Sequence, residues 1–331
     1  MKNWQNTLKN YIDRNKKIKF IVTGSASIYL RNQTKESLAG RILDFRLDPL
    51  SFSEFIRLKD DYKEQFSVIT FLENNDNSVK TIKELNFQRA PFQKLFNKYL
   101  QFGEFPALIP YLDDFEYSTK YLKDSIIDKI LQKDIRLFEV EKQDEINLLY
   151  KICCSNTAQM INLRSIGRET GLAYPTIKKY LSVLKKTFLI DSVKNRLRSI
   201  RSQEKSLDKV FSVSVNLTAA MLSVSDPLNP PFPDFKGHII ESFVYNSLKK
   251  SGNINYFNKS GKEVDLILET GNRIIPMEVK SAEVLKKTDT NHLVYFMEKN
   301  KLEIGYVVYG GEFKVINAGM KKLYLIPYWL F

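Results

Sequence analysis

Cysteine, tryptophan and histidine each occur only twice in the 331 residues of this chain. Cys153 and Cys154 are adjacent within a helical pattern, and neighbouring cysteines pair poorly. No third cysteine or ligand-spaced histidine accompanies them, so a disulfide framework is excluded and a reducing, cytoplasmic compartment is expected. Long apolar runs are also missing: none approaches the roughly 18 residues that cross a bilayer. Met1 to Asn10 is amphipathic rather than a charged stretch followed by an apolar one, so no secretory signal is expected there. Internal repeats and low-complexity segments are absent.

What the chain does contain is ordinary for a globular protein. Hydrophobic residues make up 43%, charged residues 27% and aromatics 12%, the last almost all Phe and Tyr. That much apolar surface can offset the entropy of ordering, which argues against disorder. The length allows two or three domains, each with its own core. Lysine and arginine outnumber the acids by 51 to 38, for a formal charge of +13. Such a surplus suits an anionic partner such as nucleic acid, although a plain basic surface would look the same.

Periodicity divides the chain into four regions. Residues 1–58 read as helix, strand, loop, strand, with Trp4, Leu8, Tyr11 and Ile12 at helical spacing and Ile18 to Val22 as a short buried strand ending at Thr23-Gly24-Ser25. Residues 59–145 read as a helical connector broken at Gly103-Glu104-Phe105-Pro106. Residues 146–225 carry the pattern of a winged helix. Residues 236–331 alternate helix and strands. The proline-rich stretch Asp226 to Pro233 can continue neither a helix nor a central strand and marks a boundary. The fold class expected is therefore mixed, multidomain α/β.

The last region holds the densest chemistry. Apolar positions 239, 240, 243, 244 and 248 describe an amphipathic helix carrying Glu241. Glu263 to Leu268 reads as a strand with Asp265 near its start, Gly271-Asn272 as a hairpin turn, and Ile274 to Lys280 as the returning strand. Residues two apart on a strand share a face, so Glu278 and Lys280 point the same way, and the hairpin can bring Asp265 beside them. Carboxylates of this kind hold Mg²⁺ through hard oxygen ligands, and a neighbouring lysine can offset developing negative charge. Solvated strand-edge charges are the plainer alternative. Glu263 and Glu269 are expected at the surface.

In the third region, Asn162 to Leu172 reads as the first helix of a helix-turn-helix, ended by Gly171. The second starts at Ala173-Tyr174-Pro175-Thr176, with Pro175 tolerated in the first turn. Ile177, Tyr180, Leu181 and Leu184 form its buried face, leaving Lys178, Lys179, Lys185 and Lys186 largely off it. Phe188-Leu189-Ile190 and Arg196-Leu197-Arg198 are expected to form the wing. Residues 151–209 contain 13 Lys or Arg against 4 Asp or Glu. Lys178, Lys179, Lys185, Lys186, Arg196 and Arg198 are thus the candidate contacts to DNA phosphates. A packing module between domains is the rival reading.

Three sets of motifs resemble known families. Glu241, Asp265 and Glu278-Val279-Lys280 resemble the active site of the PD-(D/E)xK nuclease superfamily. That likeness implies Asp265 and Glu278 as Mg²⁺ ligands, Lys280 as the catalytic lysine and Glu241 as an accessory carboxylate. Phe20-Ile21-Val22-Thr23-Gly24-Ser25, Ser37-Leu38-Ala39-Gly40-Arg41 and Pro49 to Phe55 resemble the distal half of an AAA-type P-loop ATPase domain. The prokaryotic family in question couples that ATPase to a winged helix and a nuclease-like carboxy-terminal domain of unknown function. Gly103-Glu104-Phe105-Pro106 resembles that family's Gly-Gly-Phe-Pro turn, and Tyr174 to Leu181 its recognition helix. By resemblance, Thr23 or Ser25 would sense the γ-phosphate of ATP, and Arg41 would supply a cation.

Two departures qualify the likeness. The chain contains no Gly-x-x-x-x-Gly-Lys-Ser/Thr loop to cradle phosphates, so ATP binding or hydrolysis by this chain alone is not expected. Ser212-Val213-Ser214-Val215-Asn216 stands where the family has an aspartate followed by a glycine. The function expected is a nucleic-acid-associated protein, with either Mg²⁺-dependent DNA cleavage by the last domain or non-catalytic DNA binding and docking on an intact ATPase partner. Self-association through an exposed half-sheet is the further partner reading.

Overall fold

A computed structural model describes residues 4–14, 18–24, 41, 43–59, 68–74, 89–138, 140, 142–232 and 234–331. Helix α1 (Trp4–Arg14) forms where the helical spacing requires it. The strand expected at Ile18 to Val22 does not. Residues 18–24 take no strand, and Ile21 is 92% exposed. Residues 43–48 are likewise irregular, and Leu43, Phe45 and Leu47 face solvent. A strand persists only where a neighbour takes up its amides and carbonyls, and among the described residues neither segment pairs. The region closes instead on α2 (Phe52–Leu58), started by a capping box between Ser51 and Glu54.

The connector is helical, as its periodicity requires. It contains α3 (Val68–Asn74), α4 (Arg89–Lys98) with a π-helical turn to Gly103, and α5 (Phe115–Lys120) prolonged by π-helical turns to Asp134. Gly103 is obligatory here, because a Cβ would lie 2.9 Å from the Tyr99 ring and 3.0 Å from that of Phe55. Phe52 and Phe96, with ring centroids 5.2 Å apart, tie α2 to α4.

The next stretch runs α6 (Gln143–Ser155), β1 (Gln159–Met160), α7 (Leu163–Thr170), α8 (Tyr174–Lys186), β2 (Ile190–Val193), α9 (Ile200–Lys205) and β3 (Lys209–Ser212). The strands form an antiparallel sheet in the order β1-β3-β2. Asn162 caps α7 by accepting from the amides of Arg164 and Ser165, and Gly171 ends it at φ +73°. Pro175 sits in the first turn of α8. Cys153 and Cys154 are free and buried, and burial pushes the Cys154 thiol up to about 12, far from a reactive thiolate.

Helix α10 (Val215–Leu222) follows. A carboxylate stands at its start, supplied by Glu104 of the Gly103-Glu104-Phe105-Pro106 turn. Glu104 accepts from the Ser214 hydroxyl and from the amides of Val215 and Asn216, while its own amide donates to Asn216 Oδ1 at 2.9 Å. Burial raises the Glu104 pKa against those hydrogen bonds.

Beyond the proline-rich stretch, α11 (Phe235–Leu248) leads into β4 (Asn253–Lys259), β5 (Lys262–Thr270), β6 (Arg273–Val279), α12 (Asn291–Lys299), β7 (Ile304–Tyr309), β8 (Lys314–Ala318) and β9 (Lys321–Pro327). The sheet order is β4-β5-β6-β7-β9-β8, parallel across β6-β7-β9 and antiparallel elsewhere. Phe296 and Met297 of α12 seal one face with Val264, Ile267 and Val307. The other face lies against α11 in an apolar cluster that continues through the middle helices to Phe52. The apolar core therefore crosses the proline-rich boundary.

Candidate functional site

Helix α11 has the sheet on one side and α10 with β3 on the other, so it is apolar almost all round. Glu241, only 7% exposed, is the charged residue among its buried positions. Strand β5 brings Glu263 and Asp265. Its register against β4 passes from Asn255↔Ile267 to Phe257↔Val264, so three steps of β5 oppose two of β4. This bulge interrupts the alternation beside Asp265 and lets Val264 and Ile267, three apart, pack together under α12. Asp265 Oδ2 accepts the Val279 amide of β6 at 2.8 Å. Just past the end of that strand, Lys280 Nζ donates to Glu278 Oε1 at 2.6 Å.

At the centre of these groups lies a residue that the motif reading does not include. Lys209, on β3 of the small sheet, is 2% exposed. Its Nζ lies 2.6 Å from Glu241 Oε1, 2.9 Å from Glu263 Oε1 and 3.7 Å from Asp265 Oδ1. Glu263, expected at the surface, belongs to this cluster. One turn before Glu241, His238 hydrogen-bonds Gln159 of β1. Only one signal for Lys209 exists in the sequence: it opens the otherwise apolar run Lys209-Val210-Phe211, where a solvated lysine has little place.

Burial dominates the electrostatics. It pushes Glu241 up to about 8, with Lys209 opposing and Asp265 and Glu263 adding to the rise. Glu278, 6% exposed, is raised well above its ordinary value by burial and by Asp265 against the pull of Lys280, and its Oε2 has no hydrogen-bond partner. Lys209 is strongly raised because three carboxylates outweigh its burial. Burial lowers His238.

Mg²⁺ takes oxygen ligands in a near-octahedral shell at about 2.0–2.1 Å. Among the described residues no group of three or more His, Cys, Asp or Glu side chains is placed to hold an ion. The space between Glu241, Glu263 and Asp265 is filled by the Lys209 ammonium, and Glu278 faces Lys280. As arranged, these residues do not fit a resident Mg²⁺.

The basic candidates divide into two groups. Lys178, Lys179 and Lys186 are exposed on α8, Lys178 lying 5.7 Å from the Tyr174 ring centroid and Lys186 5.8 Å from that of Phe138. Arg198 is also exposed. Lys185 is drawn to Asp208 at 3.6 Å, and Arg196 donates to Glu269 at 2.6 Å and to Asn300 at 3.3 Å. The segment expected as a wing thus lies against the large sheet, with Asn195 bridged to Tyr256 and the Arg196 amide donating to the Tyr256 carbonyl.

At the amino-terminal end, Thr23 is exposed and Arg41 pairs with Asp13 at 3.0 Å, while Ser25 lies outside the described residues. Nearby, Asp48 meets Arg46 at 2.8 Å and Lys249 at 3.2 Å, and these cations hold its carboxyl below the ordinary range despite burial. No helix among the described residues is long and apolar enough to cross a membrane.

Comparison with known proteins gives three family matches. Residues 1–56 match the model of an AAA domain. Residues 93–228 match a domain of unknown function (DUF8612), and residues 236–330 a second one (DUF4143). The first domain of unknown function joins the second half of the helical connector to the α6–α10 region. An uncharacterised protein of Methanocaldococcus jannaschii is 23% identical over 349 residues, covering 99% of this chain and 71% of its own length. An uncharacterised protein of Haemophilus influenzae is 23% identical over 289 residues, covering 85% of this chain. The chain spans 64% of the Haemophilus relative.

Proposed function

We propose that this AAA-associated chain is a non-catalytic nucleic-acid-binding protein, docking on phosphates through the outer face of α8 in a winged-helix arrangement. The observation that carries this reading is the division of α8 into two faces. Ile177, Tyr180, Leu181 and Leu184 are buried, while Tyr174, Lys178, Lys179 and Lys186 are exposed along the opposite side. Arg164 and Arg168 add exposed charge from α7. Three lysines on one helix face, with the two arginines of α7, supply affinity through counterion release without selecting a sequence.

Cleavage of the bound strand would need a cation among carboxylates that now surround Lys209, so no hydrolytic step is assigned to them. Duplex binding followed by fluorescence anisotropy tests the reading. For roughly four phosphate contacts, affinity should fall on the order of 10²-fold between about 50 and about 200 mM salt. Lys178→Ala should weaken binding and reduce the salt slope by about one. Arg196→Ala, whose charge is already taken by Glu269, should leave both unchanged. Salt-independent binding, or equal effects of the two variants, would refute phosphate docking by α8. Cutting of DNA in Mg²⁺ or Mn²⁺ above an Asp265→Ala control would refute the non-catalytic half.

A further inference from the structure

Segments distant in the sequence border a cavity of about 410 Å³. Its apolar wall consists of Phe52 and Ile56 of α2, Val68 of α3, Phe92 of α4, Leu248 at the end of α11, and Trp329. All six are 9% exposed or less. The volume lies within the roughly 300–1,000 Å³ of pockets that bury most of a small organic ligand. Such a wall accommodates an apolar body, and the polar groups around it decide what else a ligand must carry.

The carboxylates at the cavity are already engaged. Asp48 faces Arg46, Lys249 and Lys250 at 2.8, 3.2 and 3.3 Å. Glu54 accepts from the amide and the hydroxyl of Ser51, and Glu104 from the first amides of α10. The Tyr99 hydroxyl donates to the Leu50 carbonyl at 2.8 Å. Donors are what remain. Arg57 lines the cavity from α2, is exposed, and its guanidinium has no hydrogen bond or ion pair among the described residues. The indole N–H of Trp329 is buried without an acceptor. A ligand complementary to this set is apolar in its body and carries an anionic acceptor.

We propose that the cavity binds a small amphipathic anion, an apolar body bearing one carboxylate or sulfonate, with the anion on Arg57. Since the walls come from α2, α3, α4, α11 and the carboxy-terminal end, occupancy ties the amino-terminal segment to the large α/β unit. The inference is independent of phosphate docking by α8. It uses no residue of α7 or α8 and is read by a small probe rather than by DNA.

Anilinonaphthalene sulfonate, a ring system with one fixed anion, is the probe, titrated by fluorescence into the full chain. It should saturate at one probe per chain. Arg57→Ala should weaken it by about three- to fivefold, the range of an exposed ion pair. Added salt should weaken the wild type more than the variant. Neutral phenylnaphthylamine should bind the wild type and Arg57→Ala alike. Ser53, exposed at the cavity, offers a way to fill it, and Ser53→Trp should abolish binding of both probes.

No saturable binding to the wild type overturns the proposal. So does binding that survives in a Ser53→Trp variant shown to be folded by circular dichroism, because the probe then lies elsewhere. Equal losses of the charged and neutral probes in Arg57→Ala overturn the role of the anion. If Ser53→Trp does not fold, Ser247→Phe fills the cavity from α11 instead, with the same outcomes expected. If neither folds, the salt dependence of the wild type against Arg57→Ala decides, and identical dependences overturn the proposal.

Discussion

At the scale of single residues, the cluster around Lys209 sets a pH signature. Burial pushes Glu241 up to about 8 in the folded chain, from the ordinary carboxylate range near 4.5 in the unfolded one. The folded state therefore holds a proton that the unfolded state has released. The contribution to stability falls as pH rises from about 4.5 to about 8, by up to roughly 1.4 kcal/mol per unit, and is constant above. Lys209 is silent in this window, because its raised pKa matters only above the ordinary lysine range. Urea unfolding at about pH 5.5 and about pH 8 should show the wild type losing more stability than Glu241→Gln, by on the order of a few kcal/mol. Equal losses would mean that Glu241 is ionised throughout.

At the scale of elements, local chemistry accounts for α7 and α8 more fully than for their surroundings. Asn162 satisfies two amides at the start of α7, and Gly171 takes the left-handed turn that ends it. Replacing Asn162 by Ala should cost about 1 kcal/mol, measured by denaturant midpoint at constant slope. A change below about 0.3 kcal/mol would show that α7 is held by packing alone. The connection between β2 and β3 obeys a different rule. It reads as a wing, yet Asn195 and Arg196 are taken up by Tyr256, Glu269 and Asn300 of the neighbouring unit. Local sequence gives no warning of that docking, because its partners lie 60 or more residues away.

For the whole molecule, the consequence is cooperativity. Apolar contacts run without a break from α2 through the middle helices to the large sheet, and Trp329 near the carboxy-terminal end stacks on Phe92 of α4. The buried Lys209 cluster joins the same units by charge. The region 93–331 should unfold in one transition. In a Trp4→Phe background, Trp329 fluorescence and far-UV circular dichroism should give coincident urea curves. A fluorescence change that precedes the loss of helix would show that the large α/β unit separates first.

The helical connector, the order of α7 and α8, the α11–β5–β6 hairpin and the pairing of Glu278 with Lys280 were all legible in the sequence. Each follows from local rules, namely periodicity, caps, a Gly-Asn turn and the two-residue repeat of a strand. Those rules also suggested a strand at 18–22, which does not form because a strand needs a hydrogen-bonding neighbour. Tertiary structure alone decided that Glu263 joins the cluster, that a bulge interrupts β5 beside Asp265, and that the Glu104 carboxylate stands at the start of α10. It alone placed Lys209 among three carboxylates. A lysine's spacing in the chain carries no record of which distant acids will surround it; burial and charge compensation between separately folded elements make that choice.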